Sequence, residues 1–498
     1  MNLAHIMDDH DRDAIALISG GREITYGELT DNIDRLRDGL ATHDIYVGDR
    51  VALLCSNSPY FVTAYFAIIG LGAIAVPLNP LSPAPELQTE IARVGAKAVV
   101  VEKLSAATWG NVDRDAVPTV DVVIAVEGAQ VADSVSFDDL LHTEPIPILD
   151  VDVDHPAVLM FTSGTAGMPR AAALSHGNLW APIMQTRATG DVTSDDLIYG
   201  VLPLFHVFGL NIVMTVGLSH GATVLLVQRF DPQTAAESIR ERGVTVVPGV
   251  PAMWTAFAHF DELPADTFAS VRVALSGAAR LPIPIFEKMR DRFGIEIAEG
   301  YGLTETSATV TTSLGHPIRP GSVGRAFDGV EIRLVNDDGD ALVGDIGEVV
   351  VRGPNVFHGY YGDPAASAAV LHDGWLRTGD MAVADDDGFV YLVDRAKDLV
   401  IVSGFNVFPA EVEQILAAHP DVLEAGVVGV PHPHTGEAVK AFVVLRPGGD
   451  VDEDTLIEHC LHHLARYKCP SKVMFVDELP RHDSGKLVRR RLDTLHPS

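Results

Sequence analysis

Basic side chains are scarce in this chain: 36 Lys and Arg stand against 68 Asp and Glu among 498 residues, a formal net charge of −32. Such a polyanion has no diffuse attraction for nucleic acid or an anionic membrane, so any phosphate it binds must be held by a few placed donors. Cysteine is nearly absent. Cys55, Cys460 and Cys469 make no paired framework, and Met1 to Asp13 lacks a basic segment followed by an apolar one, so no secretory leader is expected and a reducing cytoplasm is the expected compartment. Uninterrupted hydrophobic runs are lacking too. Val51 to Pro85 and Ile198 to Gln228 approach membrane-span length, but Pro59, Gly70, Gly72, Pro77 and Asn79 cut the first, and His206, Gly209, Asn211, Gly217 and Gly221 cut the second. Both are expected to be buried helix and strand pairs, with peripheral membrane contact left open. No internal repeat or low-complexity tract is present, which disfavours solenoids and disordered scaffolds.

What is present is a hydrophobic content of 47%, enough for large cores in a chain of two to four domains. Short β-branched runs at Ala98 to Val101, Val122 to Val126, Val158 to Phe161, Ala222 to Val227, Val244 to Val247 and Val271 to Leu275 alternate with helical segments. That alternation predicts an α/β fold whose sheets are covered on both faces. Ser58 and Pro59 read as the cap and first residue of a helix over Tyr60 to Ile69, stopped by Gly70 and Gly72. After Gly347 the strands are expected to shorten, and the acidic turns Asn336 to Gly339 and Asp385 to Gly388 predict hairpins of a β-rich subdomain. Beyond Asp394 a compact α+β segment with elements at Glu411 to Ala418, Ala425 to Val430 and Ala441 to Leu445 is expected as a small second domain, dividing the chain into 1–394 and 395–498.

The run Val158 to Phe161 leads into Thr162-Ser163-Gly164-Thr165-Ala166-Gly167-Met168-Pro169-Arg170. Small residues, hydroxyls and glycines let backbone N–H groups and side-chain oxygens converge on phosphate, and Arg170 adds a cation. The Gly-Lys-Ser/Thr ending of a Walker loop is missing, which disfavours P-loop NTPase chemistry. Alone, such a segment is more often a structural turn than a functional one. It is followed, however, by Ala173 to Leu179, Leu202-Pro203-Leu204-Phe205-His206, Ser276-Gly277-Ala278-Ala279, Gly300-Tyr301-Gly302-Leu303-Thr304-Glu305-Thr306, Gly347-Glu348 to Gly353, Trp375 to Asp380, Asp394-Arg395-Ala396-Lys397-Asp398 and Ser484-Gly485-Lys486. Together and in this order, the blocks resemble the adenylate-forming (ANL) superfamily of acyl-CoA synthetases, peptide-synthetase adenylation domains and beetle luciferases. The resemblance covers essentially the whole chain.

The resemblance implies a large N-terminal domain of two α/β subdomains plus a β-rich one, then a small mobile C-terminal domain hinged near Lys397. It implies ATP, Mg²⁺ and coenzyme A as cofactor and co-substrates. In its terms, Thr162, Ser163, Gly164, Thr165, Gly167 and Arg170 hold the β- and γ-phosphates, Thr304 touches the α-phosphate, and Glu305 holds the hard cation. Glu299, Gly300, Tyr301 and Gly302 belong to the nucleotide block, with Tyr301 stacking on adenine and Gly277 and Ala278 lining its other side. Asp380 takes the ribose hydroxyls and Arg395 donates to the same nucleotide. His206 positions the acid, and Lys486 bridges acyl carboxylate and α-phosphate during adenylation. Rotation about Lys397 then brings Ser403-Gly404-Phe405 toward the thioester-forming site. The loop departs from the family pattern, which carries Thr for Ala166, Lys for Arg170 and Gly for Ala171; altered ATP affinity is the expected result.

Specificity is read from His206, Val207, Phe208 and Gly302 as the acyl pocket. Gly300 is not the arginine expected of synthetases for malonate-like diacids, and Phe205 to Leu210 and Val247 to Met253 are apolar, which points to a monocarboxylate with an apolar tail. Gly302 is expected to leave space for a medium or long fatty chain. A coumarate-like aromatic acid, an acyl-adenylate ligase loading a carrier protein and a catalytically impaired nucleotide-binding relative are the alternatives. The compact Gly321 to Gly353 leaves no room for the insertion of fatty acyl-adenylate ligases, and no carrier domain follows Lys486, so coenzyme A is the expected acceptor. His459-Cys460-Leu461-His462-His463 offers one i,i+4 histidine pair and no second cluster, so zinc is not expected there.

Overall fold

The computed structural model describes residues 1–162, 169–336, 339–395, 400–402, 405–407, 409–432, 436–464, 466–481 and 487–494. Two mainly parallel sheets form its centre. The first has seven strands, in the order Val135–Ser136, Val122–Ala125, Ala98–Val101, Arg50–Leu54, Ile74–Pro77, Pro156–Thr162 and Arg170–Ser175. All neighbours in it run parallel except the last two, which pair antiparallel from Pro156↔Ser175 to Thr162↔Arg170. The second has nine strands and is parallel from Ile297–Tyr301 through Val273–Ser276, Val246–Gly249, Leu197–Gly200 and Thr223–Leu226 to Ile15–Ser19, with antiparallel pairs at both edges.

The two uncharged stretches are strand–helix–strand units inside this core. The first gives Arg50–Leu54, a helix Pro59–Gly70 and Ile74–Pro77. Its helix starts where Ser58 Oγ accepts from the Phe61 amide at 3.3 Å, with Pro59 in the first turn, and its residues from Phe61 to Gly70 are all buried. A helix apolar on every face needs cover on every face, and one continuous core holds it together with residues of both central sheets. It stops at Gly70, where a Cβ would lie 2.9 Å from Arg37 Nη1. The second stretch gives Leu197–Gly200, a π-helix over Phe208–Val216 and Thr223–Leu226. Among the described residues no helix is long and apolar enough to cross a membrane.

A six-stranded antiparallel sheet follows, and both acidic hairpins lie in it: Glu331–Asn336 with Gly339–Asp340, and Trp375–Ala384 with Val390–Arg395. One expectation changes here: the strands after Gly347 do not shorten, and the longest of this sheet runs ten residues, from Trp375 to Ala384, paired on both sides. Residues from Val400 onward build a five-stranded sheet around Val422–His432 and Gly436–Leu445, covered by helices Pro409–Ala417 and Glu453–His463. This sheet packs a core of its own around Val412, Leu416, Val427, Val443, Leu456 and Cys460.

Candidate active site

The strand ends of the two central sheets open on a cavity of about 710 Å³. The sequence itself folds the walls into place. Asn57, just past the strand Arg50–Leu54, donates through Nδ2 to the carbonyls of Gly200 (3.1 Å), Leu202 (2.9 Å) and Val227 (3.1 Å), and its Oδ1 accepts from Leu204 N at 3.0 Å. One buried amide thus ties both sheets to the segment carrying Phe205 and His206. The π-helix starts straight after, with Leu210 N donating to His206 O at 2.8 Å. Gly209 is dictated by this crowding, since a Cβ would fall 2.2 Å from Pro203 O. Wide helical turns of this kind are common beside functional sites because they displace one residue toward the cleft.

Thr162, Arg170, His206, Val207, Phe208, Gly277, Ala278, Gly300, Gly302, Thr304 and Glu305 all line this one cavity. Glu299, Tyr301 and Asp380 do not, and the pleat explains the division. Successive side chains on the strand Ile297–Tyr301 point to opposite sides, so Gly300 and Gly302 face the cavity while Glu299 and Tyr301 face away. The Glu299 carboxylate accepts from Leu281 N at 3.0 Å instead of facing a nucleotide, and burial pushes it up to about 7. Tyr301 is buried, and its hydroxyl donates to Asp380 Oδ2 at 2.7 Å, so the expected adenine platform and ribose acceptor are locked to each other. Arg395 reaches this pair through the backbone, as the register partner of Asp380 across the hairpin. Ser163, Gly164, Thr165, Ala166, Gly167, Lys397, Ser403, Gly404 and Lys486 lie outside the described residues, and so do the side chains of Arg395 and Phe405.

The acyl wall also departs from expectation at Gly302. A Cβ there would stand 2.0 Å from Ala308 O, so the glycine is required by the close return of its own backbone and does not open room for a chain. Gly300 is less crowded, though its Cβ would still meet Thr311 O at 3.2 Å and Leu275 Cδ1 at 4.0 Å. Phe208 packs over Gly277, where a Cβ would lie 2.9 Å from its ring. The cavity is also lined by Val250, Leu275 and Phe327 and by Thr186, Thr309 and Thr311, whose hydroxyls donate to Pro182 O, Gln185 Oε1 and Val323 O at 2.9, 3.0 and 2.6 Å.

Residues the sequence blocks did not mark stand beside the phosphate strand. Tyr360 donates its hydroxyl to Glu305 Oε1 at 2.8 Å, and the Arg170 guanidinium lies 5.5 Å from its ring centroid. Asp363 Oδ2 receives Arg93 Nη2 at 3.5 Å and Arg170 Nε at 3.9 Å. The available signal was Gly359-Tyr360-Tyr361-Gly362-Asp363-Pro364, an aromatic pair in a tight glycine turn. Glu305 leaves its other carboxylate oxygen unclaimed by the tyrosine, and the Thr304 and Thr162 hydroxyls share its wall. An all-oxygen set of this kind fits a hard cation such as Mg²⁺. At the histidine-rich segment, His459 Nε2 lies 3.0 Å from Ile415 O and His463 Nδ1 lies 2.8 Å from His459 O; no group of three ligating side chains among the described residues is placed to hold a metal.

Comparison with known proteins places this geometry. A family model described as AMP-binding enzyme matches residues 5–361, and one described as AMP-binding enzyme C-terminal domain matches residues 411–486. A feruloyl-CoA synthase of Amycolatopsis sp is 37% identical over 490 residues, covering 96% of each chain. A long-chain-fatty-acid--CoA ligase of Bacillus subtilis is 32% identical over 511 residues, covering 96% of this chain and 91% of the relative. The crystal structure of ATP-bound MatB from Rhodopseudomonas palustris superposes with a TM-score of 0.92 at 32% identity, covering 99% of this chain and 98% of that one.

Proposed function

Because the chain belongs to the family of AMP-binding enzymes, within the adenylate-forming superfamily, we propose that it is an AMP-forming acid–thiol ligase that uses ATP and Mg²⁺ to join a carboxylic acid to coenzyme A. The observation that carries this is the convergence of Arg170, His206, Thr304 and Glu305 on one cavity that apolar residues such as Phe208, Val250 and Leu275 also line. In the first step a carboxylate oxygen attacks the α-phosphorus, the bond to the bridging oxygen of the β-phosphate breaks, and pyrophosphate leaves an acyl adenylate. Two anions must meet, so neutralisation and alignment dominate. Arg170 faces the leaving phosphates, Thr304 the α-phosphate, and His206 aligns the acid at the cavity wall. Mg²⁺, when bound at Glu305, supplies further neutralisation of the phosphates. Lys486 bridges carboxylate and α-phosphate in this step. The division into 1–394 and 395–498, with its hinge at Lys397, then lets Lys486 withdraw and Ser403-Gly404-Phe405 approach. The thiol sulfur attacks the acyl carbon, AMP leaves, and a thioester forms.

The acid has an apolar body that packs against Phe208, Val250 and Leu275. The 37% identity to a feruloyl-CoA synthase, against 32% to a long-chain ligase, supports a compact aromatic acid over a long alkyl chain. Pyrophosphate release, measured with ATP and Mg²⁺ over aromatic, fatty and short acids with and without coenzyme A, tests both parts. Highest turnover with hydroxylated aromatic acids is expected. Preference for long alkyl acids would return the fatty acid reading, and an adenylate that coenzyme A cannot discharge would point to a carrier-loading ligase.

A further inference from the structure

Resting on that reading, we infer that Tyr360 is a positioning residue that couples the metal carboxylate Glu305 to the phosphate-strand cation Arg170. The segment around it grips both. Phe357 N donates to the Glu305 peptide carbonyl at 2.9 Å, and three residues on, the Tyr360 hydroxyl donates to the Glu305 carboxylate at 2.8 Å. Backbone and side chain of the same glutamate are therefore fixed by one short stretch. That stretch is also a strand partner of the segment leaving the phosphate loop: Ala172 bridges Tyr360 antiparallel, Tyr361 N donates to Ala171 O at 2.8 Å, and Ala173 N donates to Gly359 O at 3.1 Å. Glu305, in the 3-10 turn Thr304–Thr306, and Arg170, at the start of the strand Arg170–Ser175, are far apart in sequence, yet their relative placement is set through Tyr360.

The chemistry of each contact gives it a task. A phenol donating to one carboxylate oxygen removes a single lone pair and fixes the rotamer, leaving the remaining lone pairs for a cation. The ring face carries the Arg170 guanidinium at 5.5 Å, a contact for which a planar cation is better shaped than an ammonium. The 3.9 Å ion pair of Arg170 with Asp363 is loose. Asp363 keeps Arg93 at 3.5 Å on the same oxygen and caps the helix Pro364–Val370 with the other, through Ala366 N at 2.9 Å. Arg170 can therefore turn to an incoming phosphate without leaving Asp363 bare.

Equilibrium binding of ATP to the full-length protein separates the two halves of this role. Calorimetric titrations are run in excess Mg²⁺ and again in EDTA. Tyr360→Phe keeps the ring and loses the hydroxyl; it should weaken binding about tenfold in Mg²⁺, the usual scale for loss of an outer-shell partner, and leave binding in EDTA within about twofold. Tyr360→Leu loses both contacts and should weaken binding in both conditions, with Arg170→Lys adding little on top of it. A Tyr360→Phe protein that binds ATP in Mg²⁺ as tightly as wild type, or that loses the same factor in EDTA, overturns the coupling. A wild-type protein that binds no ATP in either condition overturns the ligase reading itself.

Discussion

At position 170 a guanidinium takes the place of the ammonium expected in this kind of loop, and its surroundings are built for that shape. Arg170→Lys keeps the charge but loses the ring face of Tyr360 and the reach to Asp363; the KM for ATP should rise several-fold, roughly the loss of one modest contact, with the KM for the acid unchanged in steady-state kinetics. Gly302 is the opposite case, a residue read as a pocket feature that is a backbone necessity. Gly302→Ala would force Ala308 O away from a Cβ at 2.0 Å, so thermal melting should reveal a loss of stability of about 2 kcal/mol or more before any change in acid preference; an unshifted melt with altered preference would restore the pocket role. Lys486→Ala addresses a residue whose assignment rests on the resemblance alone. It should depress adenylation far more than thioester formation from supplied acyl adenylate, and equal loss in both steps would refute the assignment. At this scale the sequence reveals residue types that can do the chemistry but not their partners. Tyr360 stands in a marked glycine turn, but its role was not legible because it depends on a contact with a residue 55 positions away.

Among the elements, the strand Ile297–Tyr301 and the helix Ala84–Val94 each carry a carboxyl that the fold keeps protonated. Burial holds Glu299 at about 7 and Glu90, beside Glu86, at about 8, both raised from 4.5. Between 4.5 and 8 these two carboxyls bind more protons in the folded chain than in the unfolded one, and their contribution to stability falls as pH rises through that window, while buried His176, lowered to about 3, acts in the opposite sense below 6.5. Glu90→Gln should flatten the decline and gain more than about 1 kcal/mol over wild type near pH 8.5, read as denaturation midpoints against pH; parallel curves for the two proteins would contradict the assignment. Elements were also where sequence reasoning worked best. Ser58 and Pro59 start their helix, because capping is local. The length of the strand Trp375–Ala384 was missed because ladder pairing such as Glu348↔Met381 is set by a partner strand. The pleat that turns Glu299 and Tyr301 away from Gly300 could have been applied to the motif block, whose function-based reading hid it.

For the whole molecule, an excess of 32 negative charges surrounds a cavity that must receive polyanions. Attraction is therefore local, from Arg170 and from the cation that Glu305 and Tyr360 are arranged to accept. Two sheets clamped on one buried helix and stapled by Asn57 form the rigid side of the site. The separate C-terminal core around Val412 and Val443 is the unit proposed to bring Lys486 to it and take it away. This division of labour makes adenylation a complete and reversible reaction without coenzyme A. The most direct measurement is exchange of labelled pyrophosphate into ATP. The account predicts exchange that requires the acid and Mg²⁺, proceeds in the absence of coenzyme A and is lost in Lys486→Ala. No exchange with any carboxylic acid, from a protein that binds ATP, would contradict it.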